Sequence, residues 1–218
     1  KALRGLKRSG YNGKGKGVSG KTLGNYAETL QSFCKWAIKR GYLETDPLED
    51  LNSFDVSPKS TRRALTIDEI HSLLEVAPEH RKILYEVALT TGLRAGELRA
   101  LTLDNIDVDR GIIRLDPAWT KNRKSGEQPI PRPLVEKLVA FGMKGTAEQL
   151  YKKHYGSRYA EQEDIPENPL LCVSTIPSRE IRKDLEAAGI AFSTPKGKVD
   201  FHALRTTFVT LTLEAGAN

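Results

Sequence analysis

Apolar residues recur at three- and four-residue steps along much of this chain, in stretches separated by glycine, proline and charge. Leu23, Tyr26, Ala27, Leu30, Phe33, Cys34, Ala37 and Ile38 mark one face of a helix that begins near Thr22 and that Gly41 ends. Residues 9–20, rich in glycine, read as a mobile, basic loop ahead of it. Pro47, at a first helical position, predicts a short helical segment ending near Leu51. Residues 52–63 are polar, basic and without period, which is linker composition.

Beyond that stretch Thr66 and Glu69 fit a capping box, and Ile67, Ile70, Leu73 and Leu74 carry a helix to about Val76, where Pro78 follows. A second helix spans about 81–91, Gly92 permits a turn, and Glu97 begins another helical turn. Between Ile106 and Pro131 the period switches to two. Short strands at 111–115 and 128–131 flank a polar turn at 121–127, and Pro129 and Pro131 confine the second strand to an edge. Helices are expected at 134–141, 146–155, 179–188 and 203–215, a loop at 160–169 and a further short strand at 170–173. The fold class is therefore mainly α with a small antiparallel β-sheet. A small helical domain at 1–53 and a linker at 54–63 precede a larger domain at 64–218.

No run approaches the roughly 18 apolar residues that a membrane span needs. The opening residues carry no secretory signal, so a cytoplasmic protein is expected, and a first residue other than methionine reads as a piece of something longer. A net charge of +6 favours a polyanionic partner. Basic residues crowd 1–21, 59–63 and 121–124, whereas acids gather at 44–55, 104–109 and 161–167. Cys34 and Cys172 stand far apart with no metal-ligand spacing, which points to reduced, buried thiols and suggests neither a disulfide framework nor a zinc site.

Two boxes carry the chemistry: Thr90-Thr91-Gly92-Leu93-Arg94-Ala95-Gly96-Glu97-Leu98 and Phe201-His202-Ala203-Leu204-Arg205-Thr206-Thr207-Phe208. Arginine's rigid, permanently charged fork suits the oxygens of a phosphate becoming five-coordinate. Singly, Arg94 and Arg205 read as surface or ion-pair residues; as an ordered pair in suitable local structure they read as a phosphate clamp. His202, three residues before Arg205, shares its helix face and can donate to the same phosphate or move a proton, or it can cap the helix and pack on Phe201. The two boxes resemble the signatures of the tyrosine recombinase (phage integrase) family.

That resemblance implies a tyrosine-recombinase-like DNA breaking-rejoining domain preceded by part of a helical core-binding domain. Trp119-Thr120-Lys121-Asn122 followed by Pro129-Ile130-Pro131 resembles the family's lysine hairpin, which implies that Lys121 protonates the departing 5′-oxygen. Glu97 matches an acidic residue that supports the first arginine. Lys59, Arg62, Arg63, Arg123 and Lys124 are candidate DNA contacts, and the family works without metal or cofactor. Its tyrosine attacks the scissile phosphate and forms a 3′-phosphotyrosyl link. That tyrosine should follow Arg205, yet all seven tyrosines precede it. The expectation is a site-specific recombinase or integrase of which this piece binds double-stranded DNA without cutting it. The whole protein would form a homotetramer on DNA and the piece a monomer. A non-catalytic DNA-binding regulator with the same fold is the alternative. A basic helical protein unrelated to DNA requires that Arg94, Lys121, His202 and Arg205 stay apart.

Overall fold

The computed structural model describes residues 18–57, 61–120 and 123–217. Two compact units divide the chain, Lys1–Ser60 and Thr61–Asn218. In the first, Ser19 starts helix α1 (Gly20–Lys39) by accepting the Thr22 N–H at 3.1 Å, which satisfies one of the unpaired donors of the first turn. Leu23, Ala27, Cys34 and Ala37 are buried, while Tyr26, Phe33 and Trp36 on the same helix are exposed. The rings of Phe33, Trp36 and Tyr42 pack in series. The helical segment expected to end near Leu51 is a run of turns instead. The Asp46 carboxylate accepts the Leu48 N–H at 2.9 Å, a local bond that competes with helix formation. Most of the loop expected at 9–20 lies outside the described residues.

The second unit runs α2 (Ile67–Val76), α3 (Glu79–Thr91), α4 (Ala95–Arg99), β1 (Ile106–Asp107), β2 (Ile112–Leu115), β3 (Gly126–Pro129), α5 (Arg132–Met143), α6 (Thr146–Tyr155), α7 (Pro177–Ala187), β4 (Ser193–Thr194), β5 (Gly197–Lys198) and α8 (Ala203–Glu214). The capping box closes as expected: Thr66 Oγ1 accepts the Glu69 N–H and Glu69 accepts the Thr66 N–H. Strands β1, β2 and β3 form an antiparallel sheet in that order, with Ile113 opposite Gln128 and Ile112 opposite Pro129. Pro129 has no N–H to give, so β3 sits at an edge.

One apolar core joins these elements, with Leu73, Leu84, Val87, Leu98, Ile113, Leu138, Ile181 and Leu204 all deeply buried. A buried polar cluster reinforces it. Asp184 of α7 takes two hydrogen bonds from Arg81 (2.7 and 2.9 Å) and one from the Tyr85 hydroxyl (2.6 Å), both on α3. The apolar run 170–173, expected as a strand, is buried chain without a ladder. Its amides find other partners: Leu170 N–H donates to the Leu101 carbonyl and Val173 N–H to the Tyr151 hydroxyl. The expected linker at 54–63 meets the unit boundary. Arg63 N–H donates to the Lys198 carbonyl and Lys198 N–H to the Thr61 carbonyl, so residues 61–63 lie along β5 as part of the second unit. Helices α3 and α8 pack side by side, which sets their adjoining ends against each other.

Candidate active site

Helix α3 ends on Gly92, whose φ of +63° is left-handed. A Cβ there would stand 2.4 Å from Cδ1 of Phe208 on α8, so glycine alone lets the chain turn beneath that ring. Two residues on, Arg94 opens α4. Its backbone N–H donates to Glu97 Oε2 at 2.7 Å and its Nη1 to Oε1 at 2.8 Å. The Glu97 side chain is 5% exposed and that of Arg94 43%. The carboxylate is thus an interior bracket that holds an outward guanidinium. Arg205, in the first turn of α8, donates from Nη1 to the Gly92 carbonyl, tying together segments 113 residues apart. The other guanidinium N–H groups of Arg94 and Arg205 make no hydrogen bond among the described residues.

Both arginines line one cleft of ≈ 330 Å³, along with Glu97, Thr120, Lys124, Gln128 and Phe208. No tyrosine lines it among the described residues. Lys124 enters from the hairpin turn, which the Thr120 hydroxyl closes by accepting the Lys124 N–H and donating to its carbonyl. His202 begins α8. Burial lowers its imidazole below the ordinary value, Arg62, Arg205 and Arg94 lower it further, and Asp200 opposes them. The ring therefore lies within electrostatic reach of Arg94 and Arg205.

A sequence model of the phage integrase family matches residues 63–218. The chain belongs to the phage integrase family. Among curated proteins it is 26% identical over 216 residues to tyrosine recombinase XerC of Thermodesulfovibrio yellowstonii. It is 29% identical over 214 residues to tyrosine recombinase XerD of Staphylococcus aureus. Each match takes in 93% of this chain and 66% of the relative, so the chain spans only part of those proteins' length. Solved structures share the fold. A lambda integrase dimer bound to a COC′ core site superposes with a TM-score of 0.64 at 20% identity, over 99% of this chain and 72% of that one. The Tn1549 transposon integrase in complex with transposon right end DNA gives 0.63 at 20% identity, over 93% and 69%.

Within this integrase-family unit, the sequence-predicted residues fall into three groups. Arg94, Glu97, Arg205 and Lys124 share the cleft, with His202 in electrostatic reach. Arg63 is engaged elsewhere: its two Nη groups grip the Glu69 carboxylate at 2.7 Å each, which raises the guanidinium and lowers the carboxyl. Arg62 pairs with Asp200, and Arg123 is exposed with a φ of 50°. Lys121 and Lys59 lie outside the described residues. Sequence reasoning missed Thr120 and Gln128 in the cleft, and Lys198 and Asp200 beside His202. The Thr194-Pro195-Lys196-Gly197 run was a usable turn signal for the β4–β5 hairpin. A lone aspartate such as Asp200 offers none. A larger cavity, ≈ 470 Å³, lies between Tyr85, Tyr151, Cys172 and Phe201, but neither Arg94 nor Arg205 lines it. Among the described residues no group of His, Cys, Asp and Glu is placed to hold a metal, and no helix is long and apolar enough to cross a membrane.

Proposed function

We propose that this protein binds double-stranded DNA and belongs to a site-specific recombinase that cuts and rejoins strands through a 3′-phosphotyrosyl intermediate. Convergence of Arg94 and Arg205 on one cleft carries the reading. Two forked cations, each anchored at one nitrogen, leave donors for the non-bridging oxygens of a phosphodiester as its charge grows. His202, held toward the neutral form, donates an N–H to the same phosphate, and the anion's arrival favours its protonation. Lys121 and Lys124 share the hairpin from which an ammonium would protonate the departing 5′-oxygen. The nucleophile comes from none of the described residues that line the cleft. The chain described here therefore supplies phosphate recognition and charge stabilisation without cutting. It acts on cytoplasmic DNA, alone as a monomer, with the whole recombinase as a tetramer on paired sites. The match to the DNA-bound integrases supports the fold on which this reading rests.

The test is binding to duplex DNA across a salt series, with a nicked substrate that traps covalent adducts. Binding should weaken steeply with salt, Arg94→Ala and Arg205→Ala should weaken it further, and no adduct should form. Undetectable binding at low ionic strength would remove the DNA reading, and an adduct with this chain would show that one of its own tyrosines attacks.

A further inference from the structure

Asp200 follows the β4–β5 hairpin in the chain, two residues ahead of His202, and is 5% exposed. Arg62 Nε donates to both of its oxygens, at 2.7 and 3.0 Å, and Lys198 Nζ stands 3.1 Å from Oδ2. Burial alone would raise this carboxyl, yet the hydrogen bonds from Arg62 and Lys198 outweigh it and hold it below the usual carboxylate value. Exposure is unequal: the side chain of Asp200 is 8% exposed, whereas those of Arg62 and Lys198 are 41% and 33%. By contrast, Arg110 and Glu127 are exposed alike, as in an ordinary surface pair. Around Asp200 the anion is inside and both cations reach outward, and two cations against one anion leave a net positive charge. Neither Nη group of Arg62 makes a hydrogen bond among the described residues.

The backbone holds the same arrangement. Residues 61–63 lie along β5, and Gly197, at φ +135°, gives them room: a Cβ there would stand 2.8 Å from the Thr61 carbonyl oxygen. Arg62 is also the foremost charge acting on His202, ahead of Asp200, Arg205 and Arg94. The Asp200 carbonyl accepts the Ala203 N–H at 2.8 Å, so the Arg62 pair stands at the start of α8, whose first turn carries Arg205.

We propose that Asp200 is a positioning residue that holds Arg62 and Lys198 as a cationic shelf for the DNA phosphate adjoining the one gripped by Arg94 and Arg205. This inference rests on the DNA reading above. It makes a prediction opposite to simple charge counting. Asp200→Asn removes a negative charge, which on net charge alone tightens DNA binding. On the proposal the variant binds more weakly, because the shelf loses its bracket.

The experiment measures affinity for a mixed-sequence duplex of about 30 base pairs between about 50 and 200 mM salt, where each phosphate contact adds ~0.9 to the logarithmic salt slope. Losing the shelf contact lowers the slope by about that amount, so wild type loses about 3.5-fold more affinity than the variant across the series. Arg62→Gln with Lys198→Gln, both at partly exposed positions, should match Asp200→Asn, and Asp200→Glu should restore most of the binding. A staple that served folding alone would lower the melting temperature and leave the slope unchanged. Binding by Asp200→Asn as tight as wild type with an unchanged slope, while Arg94→Ala and Arg205→Ala still weaken, overturns the shelf and leaves the clamp standing. Should Asp200→Asn fail to fold, an unchanged slope in the double glutamine variant overturns it equally. Insensitivity to all of these changes overturns the DNA reading itself.

Discussion

Gly92→Ala tests how the two boxes are joined, and its cost can be assembled from two terms. The first is conformational: alanine at φ +63° sits in the left-handed region, which costs about 1–2 kcal/mol. The second is steric. The new methyl would lie 2.4 Å from Phe208 Cδ1 and 3.0 Å from Cε1 and Cγ, and overpacking of this kind costs about 1–3 kcal/mol. Reduced freedom of the unfolded chain returns about 0.4–1 kcal/mol. The net expectation is about 1–5 kcal/mol, read as a lower urea midpoint at unchanged m. A double-mutant cycle separates the terms. Phe208→Ala in the Gly92→Ala background removes the clash and leaves the backbone strain, so the double variant should be about 1–3 kcal/mol more stable than additivity predicts. Asparagine at position 92 tolerates the left-handed region better but brings the same Cβ, so it should relieve only the first term. The steric account fails if the coupling energy is zero within about 0.5 kcal/mol. Both terms fail if Gly92→Ala is as stable as wild type. Since Arg205 donates to the Gly92 carbonyl, the shifted turn should also weaken DNA binding in a chain that remains folded.

Asp184→Ala should destabilise by about 3 kcal/mol in chemical denaturation, because it leaves the mostly buried Arg81 with only its 3.6 Å pair to Glu180 and strands the Tyr85 hydroxyl. His80 and His202 are both lowered, by burial first and then by neighbouring arginines, so the unfolded chain binds more protons than the folded one near their ordinary value of 6.5. Stability therefore rises with pH through that window and is lost as pH falls below it; His80→Gln with His202→Gln should flatten melting temperature against pH over about pH 5–7. Burial pushes the Cys172 thiol up to about 11, so its alkylation near neutral pH should be far slower in the folded protein than in denaturant. Glu97→Gln keeps the shape of the bracket but removes its charge, and should weaken DNA binding with little change in melting temperature.

Much of this fold was legible where a local pattern and its tertiary use agree. The Thr66–Glu69 box, the Gly92 turn and the edge placement of β3 all follow from side chains acting on their own backbone. Reading failed where a distant partner decided the outcome. Leu170, Leu171 and Val173 have strand composition, but the Leu101 carbonyl and the Tyr151 hydroxyl take amides that a ladder would have used. The bidentate pair of Arg63 with Glu69 was likewise invisible in the basic run around Arg63, because only α2 turns that carboxylate back. That Arg94 and Arg205 would share a cleft was readable because each sits in a local motif. The basic run at 59–63 singled out Arg62, but its grouping with Lys198 and Asp200 was not legible, since the partners come from segments 138 residues apart.

A common arrangement holds three arginines. Glu97 brackets Arg94, the Gly92 carbonyl brackets Arg205, and Asp200 brackets Arg62. In each case an acceptor fixed in the fold takes part of a guanidinium and leaves the rest of the fork without a protein partner among the described residues. An arginine side chain that swung freely would lose about 2 kcal/mol of rotamer entropy on meeting a phosphate. A bracketed one has already lost much of it during folding, when the core stabilises the whole unit. The ordering of this surface is thus met by the fold before any phosphate arrives, which is what preorganised stabilisation of a developing anion requires. The acceptors are therefore as much part of the site as the cations. Removing Glu97 or Asp200 should impair binding even though neither carboxylate would touch DNA.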